Sequence, residues 1–341
     1  MLKNNFFIRL TNWEFWPTGL VYFPVIIYYL WLALKSRSFF FFTVVNSEME
    51  TGGLFGTSKY KQLCFLPEHL KPITVLISKD ESINNVIEHL KDEKISFPCI
   101  AKPDKAERGV GVELLHNGKD LENYLHQATS DFLIQEYITY PFEAGVFYYR
   151  FPGNISGEIP SIVLKEFLNV VGDGKSSIKE LIHNSFRAKL TWEKQQIKLG
   201  VKAGLVPGNG EKVLLEPIGN HNRGTAFFNG NHLINEGLEN IFSKISDHLP
   251  GFYYGRFDFK APSLEAFCKG ENIKILEVNG VNAEPAHIYD PSGSLWTAWK
   301  TLIHHWDIIY KISKKNKNKG IKPLGFSEAL LHFKEWKKQK S

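Results

Sequence analysis

Two segments, GRFDFK (255–260) and ILEVNG (275–280), constrain this chain more than any other feature. Each is a short apolar run interrupted by groups that do not belong in a core. Side chains two apart on a strand share a face, and their neighbours point the other way. Glu277 and Asn279 therefore project side by side with Val278 turned away, and Arg256 and Asp258 share a face between phenylalanines. If the two strands pair, three oxygen donors meet on one side of a sheet whose other side is core. Two carboxylates and an amide oxygen are hard ligands of the kind magnesium takes together with waters and phosphate oxygens. The plainer alternative is a row of outward-facing polar positions on a half-exposed sheet.

The remaining pattern mixes strands and helices. ITVLIS (73–78), FPCIAKPD (97–104) and FLIQEYI (132–138) read as strands, as do GVFYYRFPG, SIVLKEFLNVV, GTAFFNG, GFYYGRFDFK and IKILEVNG. SFFFFTVV (38–45) also reads as a buried strand. SINNVIEHLKDE has helical spacing with Ser82 as its N-cap. SSIKELIHNSFRAKLTWEKQQIKLG reads as one long helical stretch and SGSLWTAWKTLIHHWDIIYKISKK as an amphipathic helix, in which His304 and His305 diverge and serve packing or surface. A solvated Lys/Asn linker at 314–319 precedes a last short helix, SEALLHFKEWKK. Hairpins among the strands favour an α+β fold over a doubly wound parallel sheet.

The 341 residues are 43% hydrophobic, enough for a sizeable core. The net charge of +5, from 41 basic and 36 acidic residues, is no nucleic-acid footprint. Cys64, Cys99 and Cys268 lie far apart without a CxxC pair, which argues against a zinc site or disulfide scaffold and fits a reducing compartment.

A second cluster lies upstream. Lys102 ends an apolar strand and leads into PDKAERGVGV, where Gly109 and Gly111 offer backbone N–H groups that can close over phosphates. A lysine feeding such a turn adds a mobile point charge for phosphate oxygens; alone, it reads equally as an exposed edge lysine.

The order of strand lysine, glycine loop, QEY, a second glutamate, Arg-x-Asp and Glu-x-Asn resembles the ATP-grasp superfamily of carboxylate–amine ligases over roughly residues 96–290. NVVGDGKSSIKELI (169–182) is similar to a segment in the branch that holds D-alanine–D-alanine ligase, cyanophycin synthetase and bifunctional glutathione synthetase, and GNHNRGTAF (219–227) stands where that branch has another glycine-rich stretch. The resemblance implies an ATP-grasp fold, two α+β subdomains sandwiching ATP. It implies ATP and magnesium (or manganese) as cofactors, and a carboxylate activated as an acylphosphate for attack by an amine, both small molecules. It assigns Lys102, Arg108, Gly109, Gly111, Gln135, Glu136, Tyr137, Ile138, Glu143 and Lys165 to the nucleotide. Glu136 and Glu143 match the pair at the adenine and ribose; Asp258, Glu277 and Asn279 match the metal triad; Arg256, with Lys165, matches the phosphate-stabilising catalytic groups. A kinase, a thioester-forming ligase or a non-catalytic nucleotide-binding module on the same fold are the alternatives. For substrate, the weaker candidates are Arg150, His221, Asn222, Arg223, Glu284 and His287, with Asp290 beside them; Ser58 and Lys59 close the site from the N-terminal side.

Phe15 to Leu34 is a charge-free run of the length that crosses a hydrocarbon layer, followed at once by Lys35 and Arg37 and carrying Trp13, Trp16, Tyr28, Tyr29 and Trp31 as interfacial aromatics. No small-residue cleavage site follows it. A spanning helix, a helix lying in the interface and a buried helix all fit, with Pro24 interrupting the middle. The expectation is membrane association through residues 13–34, with a cytoplasmic catalytic domain at the inner face of the plasma membrane. The expected organisation is a hydrophobic segment (1–37), a truncated preceding region (38–95), the ATP-grasp domain (96–313) and a basic linker with the C-terminal helix (314–341).

Overall fold

The computed structural model describes residues 5–106 and 109–340, and the side chains of Phe6, Asn222 and 338–340 are not among those described. The helices α1 (Asn5–Thr11) and α2 (Thr18–Ser36) open the chain, and α3 (Lys59–Cys64) follows a loop of 3-10 turns. Then come β1 (Thr74–Ile77), α4 (Ile83–Asp92), β2 (Cys99–Pro103), β3 (Glu113–Leu115), α5 (Gly118–Gln127) and β4 (Phe132–Glu136). Next are β5 (Phe142–Tyr149), β6 (Glu158–Glu166), β7 (Asn169–Val171), α6 (Ile178–Asn184), α7 (Trp192–Leu199), β8 (Lys212–Leu214) and β9 (Ala226–Asn229). The chain closes with α8 (Glu236–Asp247), β10 (Tyr254–Ala261), α9 (Leu264–Lys269), β11 (Lys274–Asn279), α10 (Leu295–Asn318) and α11 (Phe326–Lys340).

Two antiparallel sheets carry the site. The first has the order β1-β4-β2-β3, the second β11-β10-β5-β6-β9, and β7 and β8 form a separate ribbon. In β2, Cys99 and Ala101 pack on Val86 and Leu90 of α4 and on Leu121 and Tyr124 of α5, so Ile100 and Lys102 face the other way. In β10, Phe257 and Phe259 pack on Phe242 of α8 and Phe267 of α9, which leaves Tyr254, Arg256, Asp258 and Lys260 on the opposite face. The period-two pattern thus aims Lys102 from one sheet and Asp258 from the other into the space between them.

The apolar end of that inner face is covered by helices. Phe147, Tyr149, Tyr254 and Val281 form a second core with Leu32 and Ala33 of α2, Ile308, Ile309 and Ile312 of α10, and Phe41, Phe42 and Val45. The strand expected at 38–45 is absent: residues 41–44 form a 3-10 turn. Its carbonyls are taken by α10, where Ser313 Oγ donates to Phe41 O (2.6 Å) and Asn316 Nδ2 to Val44 O (2.8 Å). The linker expected at 314–319 is likewise the last turns of α10, held by those bonds. The long helix expected at 176–200 breaks at Ser185, whose backbone is extended and whose Oγ accepts from Ala188 N (3.2 Å). A boundary at 95/96 would cut through one sheet, because β1 pairs with β4 and α4 packs in the same core as β2.

Candidate active site

The register sets Arg256 opposite Asn279 and Asp258 opposite Glu277. Asp258 is the hub. Its Oδ2 accepts from Arg256 Nε (3.1 Å) and Nη2 (2.9 Å) and from Asn279 Nδ2 (3.0 Å). Its Oδ1 lies 3.0 Å from Lys165 Nζ in an ion pair without hydrogen-bond geometry. Burial opposes ionisation of Asp258, but the Arg256 and Lys165 cations outweigh it and hold the carboxyl at about 2. Lys165 Nζ also donates to Glu143 Oε1 at 3.0 Å; burial disfavours its charge, yet the two carboxylates hold its pKa above the usual lysine value. The cluster fits only because position 145 is glycine: a Cβ there would stand 2.9 Å from Val163 Cγ1, 3.1 Å from Asp258 Oδ1 and 3.2 Å from Arg256 Cδ.

Across the gap, Lys102 Nζ donates to Gln135 Oε1 (3.0 Å) and to Leu276 O (3.0 Å), bridging the two sheets. Leu276 is the extra residue where the β10–β11 register shifts, which turns its carbonyl toward Lys102. Burial lowers the Lys102 pKa to about 8, against the attraction of Glu277. Lys260, two residues beyond Asp258 on the same face, donates to Ile138 O (2.9 Å) and sits over the rings of Tyr137 and Phe167. Glu136 Oε2 accepts from Ile73 N (3.1 Å). Glu143, expected at a ribose, is buried against Lys165 and the Gly219 backbone. Lys59, from the segment after the Gly52-Gly53 loop, comes within 3.8 Å of Glu277 and donates to Asp104 O (3.1 Å) and Ala106 O.

Arg256, Asp258, Glu277, Asn279, Lys165, Glu143, Lys260, Lys102, Gln135, Glu136 and Lys59 line one cavity of about 1050 Å3. Of the nucleotide candidates, Gly109 lines it but Gly111 does not; Gly111 O accepts from Tyr124 Oη (2.8 Å), and a Cβ on Gly111 would strike Pro103. Arg108 lies outside the described residues. The weaker substrate candidates divide. Glu284 lines the cavity, its carboxylate held by the hydroxyls of Tyr22 and Tyr289. His221 lines it too, with Nε2 2.9 Å from Glu14 Oε2. Arg223 instead ties the glycine loop down, donating to Gly109 O (3.1 Å) and Val112 O (2.8 Å). Arg150 pairs with Asp247 (2.5 Å) away from the cavity. His287 is buried outside the lining, where burial pushes its pKa down to about 4. Asp290 accepts from Asn229 N (2.7 Å) as a loop staple. The backbone of Asn222 lies in a 3-10 turn, and its side chain is outside the described set.

Sequence reasoning missed Glu14 and Arg187. Arg187 Nη2 donates to both Glu14 oxygens (3.0 and 2.8 Å), and its buried Nη1 has no partner among the described residues. The available signal was one acidic residue inside the aromatic stretch TNWEFWP, which must find a partner to be buried.

Residues 58–146 match the RimK-like ATP-grasp domain family. That segment carries Lys102 and Gln135, which face the Asp258 cluster across the cavity, and Glu143, which belongs to the cluster through Lys165. Residues 58–146 are an ATP-grasp domain segment. The chain is 25% identical over 248 residues to the glutathione biosynthesis bifunctional protein of Clostridium perfringens, an alignment that covers 66% of this chain and 31% of that protein. The chain therefore spans under a third of the length of that curated relative. Among solved structures it is similar to a bifunctional glutathione synthetase from Pasteurella multocida, with 16% identity, a TM-score of 0.37, and 74% and 38% of the two chains covered. It is also similar to a D-alanine–D-alanine ligase from Bacillus anthracis, with 15% identity, a TM-score of 0.44, and 79% and 70% covered.

The ATP-grasp family implies magnesium, and the donor set suits it. Asp258 is held ionised, Glu277 makes no hydrogen bond among the described residues, and Asn279 turns its Nδ2 to Asp258, leaving its Oδ1 free of hydrogen bonds within that set. No group of three or more His, Cys, Asp or Glu side chains forms an alternative centre among the described residues.

Proposed function

We propose that this chain is an ATP-dependent ligase that transfers the γ-phosphoryl group of ATP to a carboxylate and lets an amine displace phosphate from the resulting acylphosphate. The observation that carries the reading is convergence. Arg256, Asp258, Glu277, Asn279 and Lys165 face Lys102 and Gln135 across one cavity, although they come from five strands of two sheets. Phosphoryl transfer asks a protein chiefly for positioning and charge neutralisation. Asp258, Glu277 and Asn279 would hold magnesium, which draws charge off the phosphate oxygens when bound. Lys102 and Lys165 supply fixed ammonium groups to the remaining oxygens. Arg256 is oriented by Asp258 and by Glu284 O (2.9 Å), so its charge needs no reorganisation during transfer. Arg223, by pinning the glycine loop, keeps water from the acylphosphate. Glu284, presented by two tyrosines, is placed to receive the ammonium of the acceptor.

The test is hydroxylamine trapping over a panel of carboxylates, with ADP release measured alongside. The expected result is hydroxamate that requires ATP and magnesium and is lost in Glu277→Gln. ADP with a phosphorylated product that hydroxylamine never captures would replace the ligase by a kinase. Nucleotide binding without ADP formation on any carboxylate would leave a binding module.

The outward face of α2 supports attachment to a membrane surface. One face of α2 rests on α10, where Trp299 Nε1 donates to Val21 O (2.7 Å) and Tyr28 Oη to Asp307 (2.7 Å). The other exposes Leu20, Phe23, Ile27, Leu30, Trp31 and Leu34 beside Lys35 and Arg37. A helix packed along one side on a neighbour, with its other side apolar and bare, favours lying in the interface over crossing it. Flotation with anionic vesicles, lost in a Phe23→Asp/Leu30→Asp variant that still binds ATP, is the expected outcome; equal flotation of both proteins would remove the attachment.

A further inference from the structure

The cavity stands at the upper end of ligand-site sizes. Single-ligand sites hold roughly 300–1000 Å3, and this one, at about 1050 Å3, continues past the phosphate end into a lobe with different chemistry. The change follows the strands. Along β10 the inner face runs from Lys260, Asp258 and Arg256 to Tyr254, and along β11 from Glu277 and Asn279 to Val281 just beyond its end. Over Tyr254 and Val281 the walls are Val21 and Ile26 of α2 and Leu302, Trp306 and Ile309 of α10. The charged side chains nearest this wall, Glu284 held by Tyr22 of α2 and Glu14 held by Arg187, line the same cavity outside the stretch between Tyr254 and Ile309. His305 is there, but burial keeps it neutral, pushing its pKa down to about 3, and its Nδ1 lies 2.9 Å from Tyr254 Oη. Its Nε2 has no partner among the described residues.

The far end of the lobe bears on the same conclusion independently. Ile26 is 47% exposed and sits on the bare apolar face of α2, next to Phe23 and Ile27. The apolar surface continues beyond the end of α2, where Phe39 stacks at 5.8 Å on Phe326 of α11, whose Leu330 and Leu331 are exposed. The lobe therefore joins the phosphate site at one end and an exposed apolar surface at the other. Against Val21, Ile26, Leu302, Trp306 and Ile309 a charged group finds no partner, whereas an alkyl chain loses nothing there and gains by leaving water.

We infer that the carboxylate substrate is a single-chain amphiphile, with its head group beside Arg256 and Asn279 and its apolar chain in the lobe between α2 and α10, entering past Ile26. The inference rests on the ligase reading for the fate of the head group, while the chain site stands on its own geometry. It also gives α2 a purpose that neither anchoring nor packing alone supplies: the helix that covers the apolar end of the sheet is the wall of the chain channel.

The experiment uses the full chain on lipid nanodiscs, with saturated carboxylates from butanoate to hexadecanoate, kept below their critical micelle concentrations, and with alanine and glutamate as polar acids. Two quantities are read: displacement of a fluorescent long-chain carboxylate, and hydroxamate formation with ATP and magnesium. Each added methylene buried in the lobe should strengthen binding about fourfold, until the chain fills the lobe and the gain stops. Ile26→Trp, which narrows the mouth at a half-exposed position away from the phosphate groups, should shift that plateau to shorter chains while magnesium–ATP affinity stays as in the native protein. Chain-length dependence that Ile26→Trp leaves untouched would overturn the inference, because the gain would then come from the nanodisc. Hydroxamate formed from alanine or glutamate but from no alkyl carboxylate would also overturn it, with the ligase reading intact. Length-dependent displacement that Ile26→Trp shifts, with no hydroxamate from any acid, would support the chain site and sink the ligase reading instead.

Discussion

Replacing Lys165 by methionine separates the structural from the catalytic role of the central ion cluster. Lys165 Nζ lies 3.0 Å from Glu143 Oε1 and 3.0 Å from Asp258 Oδ1, and all three side chains are under a tenth exposed. Removing one member of a buried ion pair costs about 3–5 kcal/mol, because the partner stays behind uncompensated. Asp258 keeps both Arg256 contacts and Asn279, so its charge is still balanced after the change. Among the described residues Glu143 forms an ion pair with Lys165 alone, with Lys260 as a further cation nearby, so at most one carboxylate is orphaned, which sets the loss near the low end, about 3 kcal/mol. Adding Glu143→Gln removes that charge, and the double variant should regain more than half of the lost stability in urea unfolding. Nucleotide affinity should behave differently. A lost charge-assisted hydrogen bond to phosphate is worth about 1.5–3 kcal/mol, or roughly tenfold to a hundredfold in the dissociation constant of a fluorescent ATP analogue, and Glu143→Gln should not restore it. Stability of Lys165→Met within 1 kcal/mol of the native protein would refute the buried pairing. Recovery of both stability and nucleotide affinity in the double variant would refute a direct contact between Lys165 and phosphate.

Gly145→Ala puts a methyl group 2.9 Å from Val163 Cγ1 and 3.1 Å from Asp258 Oδ1; it should cost about 1–3 kcal/mol by overpacking and reduce ATP turnover by more than that loss of fold explains, as single-turnover rates on fully folded protein will tell. Lys102 has its pKa lowered to about 8 by burial, and bound phosphate favours its charged form, so magnesium–ATP affinity should be level below pH 8 and fall by up to tenfold per unit above it. Lys102→Arg, charged throughout, should remove that slope, and a profile that is flat in the native protein would contradict the contact. Arg223→Ala frees the carbonyls of Gly109 and Val112; hydrogen exchange in the glycine loop and nucleotide release should both quicken several-fold while the urea midpoint barely moves, and unchanged release would show that the latch does not govern the loop.

What the sequence revealed here was period, and what it concealed was partners. Asp258, Glu277 and Asn279 could be placed together because a strand repeats every two residues, and a one-residue register error would have turned all three into the core. The same arithmetic reaches Lys260, two positions past Asp258, and even the change to Tyr254 and Val281 that begins the apolar lobe. The run at 38–45 was misread because a string of buried apolar residues looks alike in a strand and in a turn whose carbonyls are capped from elsewhere; the capping groups, Ser313 and Asn316, are more than 270 positions away. Glu14 meets Arg187 and His221 at separations of 173 and 207 residues, distances over which no local pattern speaks. Yet an acidic residue flanked by tryptophan and phenylalanine is a sign in itself. A charge that folding removes from water must be answered by another, and the answer here is Arg187, whose Nη2 donates to both Glu14 oxygens. The N-terminal segment is therefore more than a hydrophobic length to be tested against a bilayer: Glu14, the charge within its aromatic start, ties it to Arg187 and His221 at the cavity.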